Sequence, residues 1–281
     1  MQKTEHLSEQ ISFYRFRKNE KVTEEGLIEL ALNHCKEQTQ SVEHVLLLQD
    51  MTELNLERHR GRIKDKKQLG FVGNNKDLGF FCHPTIAVNA EDGSLIGALY
   101  IHLWHRDEDR KDKNERKYKK LPIEEKESYR WAKRAIEASN KSSDNQRKTI
   151  VQDREGDIYE SLCLLKGAEL DFVIRNNNNR EIETSTLRLK DYITDFSTVS
   201  EYILEVQGDN KKQKKREAHM EIRYKKIKLC RPNKIVEAEK YPPYLEVYVV
   251  QVKEKQDSVP QGETPIEWVV GKDMPAKDLP E

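Results

Sequence analysis

No stretch of this 281-residue chain approaches the roughly 20 consecutive apolar residues that a membrane-crossing helix requires, so a spanning helix is excluded. Cysteine is sparse: Cys35, Cys82, Cys163 and Cys230 lie far apart with no Cys-x-x-Cys pair. That excludes both a zinc ribbon and a dense disulfide framework. Charge of one sign is not in excess either, since Lys+Arg and Asp+Glu both total 50. Any argument for a nucleic-acid partner must therefore come from local patches. The opening residues Met1–Gln10 are polar and mixed in charge, unlike a signal peptide, and a soluble, reducing, cytoplasmic setting without a membrane partner is expected. What is present is a polar chain, 36% charged and 36% hydrophobic, with a mean hydropathy of -0.90. Apolar runs such as Val45–Leu48, Ile86–Val88 and Leu245–Val250 are frequent enough to build a core, and the length suits one large domain or two smaller ones.

Hydrophobic spacing predicts helices over 5–18 and 23–38, the second capped by Thr23, and then a short buried strand, His44–Gln49, ending at Asp50. Residues 57–82 are basic and then glycine-rich, and read as a long loop. Pro84–Ala90 and Leu95–Trp104 read as a hairpin around Glu91-Asp92-Gly93-Ser94, with Asp-Gly at its centre. After the charged tract 105–120, a helix is expected from Pro122 to Asn140, a strand over Lys148–Gln152 ending at Asp153, a helix over Gly156–Gly167 and a strand over Leu170–Arg175. From about residue 183 the pattern changes to strands: Tyr202–Val206, Met220–Ile227, Leu245–Val252 and Ile266–Val270. The expected organisation is α/β: a helical segment 1–40, an α/β core 41–182, a β-rich stretch 183–270 and a tail 271–281.

Two strands thus end in aspartate, in Leu48-Gln49-Asp50 and Val151-Gln152-Asp153. Catalytic groups of α/β sheets tend to lie just beyond the carboxyl ends of strands. Two carboxylates there suit a divalent cation that keeps water or phosphate as its other ligands, as phosphoryl transfer needs. Each also has a bland reading, Asp153 as a helix N-cap and Asp50 as a turn residue. Glu155 and Asp157 stand close enough to be alternative ligands. His102 and His105 flank Trp104 without a third ligand nearby, and read as ordinary strand-end histidines.

The residues around these aspartates form an ordered set. Tyr14-Arg15-Phe16 precedes Asp50-Met51-Thr52-Glu53-Leu54; Glu125-Lys126-Glu127-Ser128 and Trp131 follow. Next come Asp153-Arg154-Glu155-Gly156-Asp157-Ile158-Tyr159 and Gly262-Glu263-Thr264-Pro265-Ile266-Glu267-Trp268. In order and spacing, across nearly the whole chain, this set resembles the insertion-sequence-four family of bacterial DNA transposases, and within it the transposon-five branch. The resemblance implies a ribonuclease H-like mixed sheet flanked by helices, with a β-rich insertion before a final catalytic helix. It implies that Asp50 and Asp153 are catalytic and hold Mg2+ (or Mn2+), and it selects Asp153 over Asp157. The implied reaction is cut-and-paste transposition, by metal-dependent phosphodiester cleavage and strand transfer on double-stranded DNA at transposon ends. The family's third acid belongs to a Tyr-x-x-Arg-x-x-x-Glu helix soon after Trp268, and no such pattern occurs between Val270 and Glu281. The expectation is an incomplete form, shortened at both ends and unable to cleave alone. The rival expectations are a non-catalytic DNA-binding fragment that interferes with a full-length transposase partner, a decayed fragment, and a nuclease that completes its metal site with Glu155 or Asp157.

Residues 209–228 place nine cations against three acids, a local charge of +6. Lys211, Lys212, Lys214, Lys215 and Arg216 fall in the expected hairpin tip. In a DNA enzyme such a loop contacts phosphates and adds salt-dependent affinity without reading bases. Arg175, at a strand end near the aspartates, is a candidate for a phosphate oxygen. Tyr14, Arg15 and Arg17 are candidates for DNA-end contacts. Trp268 alternates with Ile266 and Val270, which suits a core position; the resemblance instead implies stacking beside a displaced base, which is physically reasonable for an indole.

Overall fold

The computed structural model describes residues 7–107, 117–143, 145–208 and 215–273. Its centre is the run read as a buried strand: β1 (His44–Gln49) buries Val45, Leu47 and Gln49 in strict alternation. Ahead of it lie α1 (Leu7–Lys18) and α2 (Glu24–Thr39). The Thr23 hydroxyl accepts from the Gly26 N–H at 3.0 Å, satisfying one of the free donors of the first turn of α2.

The expected loop over 57–82 is partly strand. β2 (Thr52–Asn55), β3 (Gly70–Phe71) and the long β4 (Leu78–Asn89) occupy its flanks, and β4 forms the hairpin with β5 (Leu95–Trp104). Proline argues against a central strand position, yet β4 runs through Pro84. The register supplies the reason. β1 pairs β4 as far as Thr85 and β2 takes over at Cys82, so Pro84 lies in the gap where no ladder bond on that side is lost.

The remaining elements are α3 (Tyr129–Ser139), β6 (Arg147–Gln152), α4 (Tyr159–Gly167), β7 (Asp171–Arg175), β8 (Glu181–Ile182), β9 (Ser185–Arg188), α5 (Leu189–Tyr192), β10 (Thr198–Val206), β11 (Arg216–Cys230), β12 (Tyr244–Glu254) and β13 (Glu267–Lys272). The helix expected from Gly156 starts three residues later, at Tyr159, because Asp157 is turned toward the polar tract after β7.

The thirteen strands of the described residues belong to one mixed sheet. β5, β4 and β1 are antiparallel neighbours; β1, β6 and β7 are parallel. The β-rich stretch continues this sheet, because β13 returns to pair antiparallel with β7, Val270 opposite Arg175, and β12 and β11 follow outward. One apolar cluster runs beneath both halves, from Val45, Leu47 and Phe172 to Leu189, Ile227 and Leu245. α3 lies close on the sheet because its buried face is mostly small, with Ala132, Ala135 and Ala138 around the single large Trp131. Among the described residues no helix is long and apolar enough to cross a membrane, and all four cysteines are free thiols.

Candidate active site at the ends of two parallel strands

β1 and β6 run side by side in register, with Gln49 opposite Gln152. Asp50 and Asp153 each follow by one residue, so the two expected carboxylates leave adjacent strands, about 4.8 Å apart, at the same level of the sheet. Both are exposed. Each accepts one short backbone bond: Asp50 Oδ1 from the Met51 N–H (2.7 Å) and Asp153 Oδ1 from the Glu155 N–H (2.8 Å). The N-cap reading of Asp153 therefore holds together with the site reading, since the second oxygen of the cap remains available.

Directly beneath lies a layer of buried amides outside the motifs. The side-chain amides of Gln49 and Gln152, both buried, meet at 2.5 Å, with the Trp131 carbonyl 3.2 Å from Gln152 and the Thr85 hydroxyl 3.0 Å from Gln49. The readable signal was the Gln-Asp dipeptide repeated at both strand ends. This amide layer also explains Gly156. A Cβ there would fall 2.2 Å from Gln152 Oε1 and 2.8 Å from its Cβ. Gly156→Ala is expected to destabilise the fold by roughly 1–3 kcal/mol, the usual range for overpacking; a urea melt indistinguishable from wild type would refute the packing account.

Asp157 does not face the pair. Its carboxylate is buried and accepts from the Asn177 N–H (2.7 Å), the Asn178 N–H (2.8 Å) and Arg180 Nη2 (2.5 Å), while Asn178 Nδ2 donates to its carbonyl at 2.7 Å. These bonds turn the carboxylate of Asp157 toward Arg180 and the 176–180 tract. Glu155 is exposed on the turn. Among the described residues no group of three or more His, Cys, Asp or Glu is placed to hold a metal ion. His102 is engaged with Arg134 at 2.9 Å, in keeping with its ordinary reading.

Arg175 ends β7 and lines a cleft of about 420 Å3 with Arg154, Lys190, Lys253, Gln251 and Glu267. Four cations against one carboxylate give the cleft an anion-binding character, and the carboxylate is tempered by Gln251 Nε2, which donates to Glu267 Oε1 at 2.5 Å. Arg154, beside Asp153, joins this cleft to the aspartate pair. No local pattern in the sequence marked Lys190 or Lys253, and Arg154 stood only as a member of the Asp153 motif.

No protein-family model matches the chain.

The other candidates separate by burial and partners. Trp268 is 36% exposed on β13, which excludes the core position; the buried tryptophan is Trp131. Tyr14, Arg15 and Arg17 are exposed on α1, with Arg17 over the Phe13 ring at 6.0 Å. Lys211, Lys212 and Lys214 lie outside the described residues. Lys215 is exposed and reaches Glu205 at 3.3 Å. Arg216 departs from the expected loop tip. It opens β11, and its guanidinium is turned inward onto the carboxylate of Glu254, whose side chain is fully buried, with Nη2 to Oε2 at 3.1 Å. A guanidinium committed in this way is not a loop contact to phosphate. Lys126 stands 3.9 Å from Glu160, and Glu127 holds Arg106 in a fork at 2.9 and 3.0 Å.

Proposed function

We propose that this chain is a transposase-type DNA-binding protein whose Asp50–Asp153 pair forms part of a metal-dependent phosphodiester centre. The observation that carries the reading is the register of β1 and β6, which brings both aspartates to one end of neighbouring parallel strands. Further support comes from the sheet around them, three antiparallel strands followed by parallel β6 and β7 with helices packed on the faces, which suits a ribonuclease H-like core. The carboxylates also suit the ion. Two exposed hard oxygen donors are the number magnesium commonly takes from protein while keeping water and phosphate. Asp50 and Asp153 would hold Mg2+ or Mn2+, which supplies Lewis-acid activation of the attacking oxygen. The cationic cleft would seat a backbone phosphate of duplex DNA at a transposon end, Arg175 and Arg154 fixing its position without reading sequence. The exposed Trp268 ring would offer a stacking surface.

The test is manganese binding followed by electron paramagnetic resonance, with duplex DNA present. Asp50→Asn and Asp153→Asn are each expected to weaken binding by about tenfold or more, since even outer partners of a metal site contribute that much. Unchanged binding in the double variant would sink the proposal. The second reading is a DNA-binding form that interferes with a full-length transposase, for which DNA binding without cleavage is expected. Magnesium-dependent nicking of end-sequence DNA, abolished in Asp153→Asn, would overturn that expectation.

A further inference from the structure

The carboxylate that takes Arg216 inward holds more than an ion pair. Glu254 ends β12 and accepts from three separate segments: the Arg216 fork at the start of β11, the Ser258 hydroxyl at 3.2 Å, and the Ile266 N–H at 3.1 Å. Its own N–H donates to the Ile266 carbonyl at 2.8 Å. Ser258 in turn accepts from the His219 N–H at 3.1 Å, so the turn after β12 is tied to β11 as well. Ile266 stands two residues before Trp268.

The neighbours of β13 show why this hold matters. From Val270 onward β13 is flanked by both β12 and β7. At Glu267 and Trp268 the only ladder partner among the described residues is β12, with Val252 opposite Trp268. The first residues of the strand are thus held on one side, at the point where the exposed indole must be fixed if it is to meet a base.

We propose that Glu254, together with Arg216, is a positioning residue for Trp268. The buried fork anchors the approach to β13 and fixes the backbone from which the indole projects, on the face of the sheet opposite Glu267 and Val269, which line the cationic cleft. The inference rests on the reading of Trp268 as a DNA contact. It also gives Arg216 a place behind the DNA surface rather than on it.

Incorporating 5-fluorotryptophan tests this, because the chain has three tryptophans and Trp268→Phe identifies the resonance of interest. In the wild type the Trp268 line is expected to be narrow and to shift when a mixed-sequence duplex is added. In Glu254→Gln it should broaden or split before any DNA is present, with the lines of Trp104 and Trp131 unmoved, and affinity should fall by about fivefold or more, as for loss of an aromatic stack. Should Glu254→Gln unfold, the pair of changes Arg216→Met and Glu254→Leu removes the fork without leaving a buried unpaired charge, and Arg216→Lys keeps the charge but loses the bidentate geometry. A folded variant of any of these kinds with an unmoved Trp268 line and wild-type affinity would overturn the proposal. If the wild type fails to bind duplex even at low salt, or Trp268→Phe leaves affinity intact, the DNA reading of Trp268 fails. The fluorine line without DNA still reports whether Glu254 positions the ring.

Discussion

Replacing Asp157 with alanine is expected to cost roughly 3–5 kcal/mol of folding stability, the range for breaking a buried ion pair by deleting one partner. The side chains of Asp157 and Arg180 are 5% and 6% exposed. Once the carboxylate is gone, the guanidinium has no other ion-pair partner among the described residues, and the N–H groups of Asn177 and Asn178 lose their acceptor. Asp157→Asn should cost nearly as much, because its amide nitrogen would meet those donors with a donor of its own. Adding Arg180→Met to Asp157→Ala should recover the charge-related part and leave the backbone part, so a double-mutant cycle in urea separates the two. The consequence reaches the candidate site. Asp157 lies four residues after Asp153, and the loop it holds follows directly on Arg175. The alanine variant should therefore weaken metal and duplex binding even where it is still folded. A melt within 1 kcal/mol of wild type, about the uncertainty of such measurements, would mean the loop is held by other contacts.

The two aspartates were legible because local signals placed them. Val45 to Leu48 can only be a buried strand, Ile150 and Val151 repeat the pattern, and an aspartate ends each. The turn at Asp92-Gly93 was legible for a similar reason: Gly93 adopts φ +72°, and Asp92 Oδ1 accepts from the Ser94 N–H at 2.9 Å. What could not be read depends on partners distant in sequence. Arg216 looked like the last cation of a basic loop, since nothing near it announces that Glu254, 38 residues on, is its acceptor. Asp157 was an alternative to Asp153 on the residues alone, and the resemblance chose between them; the 176–180 tract that folds over Asp157 left no mark beside it. The β-rich stretch looked separable because strand pairing between β13 and β7 leaves no trace in either segment alone. Pro84 suggested a strand boundary by a sound rule, and only the exchange of β1 for β2 beside it shows why the rule relaxes there.

Acidification is expected to remove about 3 kcal/mol of stability through His83 alone as the pH falls from its ordinary pKa of 6.5 toward 4. His83 is fully buried on β4, opposite His102 on β5 and 4.6 Å from the Trp131 ring of α3, and among the described residues neither of its ring nitrogens has a hydrogen-bond partner. Burial first, and then the charges of Arg130, His102 and Arg134, push its pKa down to about 4. Those arginines are built into the packing. α3 lies on the sheet with Arg130 over the Trp104 ring at 4.5 Å and Arg134 over Tyr100 at 5.6 Å, so a protonated imidazole between them would meet two fixed cations. His102, held by Arg134 at Nε2, is pushed to about 4 as well, by burial first and then by Arg134. The neutral ring is thus the folded form. The unfolded chain takes up its proton below 6.5 and the folded chain only near 4, so the stability is complete above 6.5 and lost across that interval. His83→Leu keeps a similar volume, removes two unpartnered polar atoms and should be at least as stable as wild type near neutrality. In urea melts from about pH 7 to about pH 5, where most carboxylates are still ionised, wild type should lose about 2 kcal/mol more than the leucine variant. Parallel pH profiles for the two proteins would show that His83 protonates in place, and that α3 does not exclude its charge.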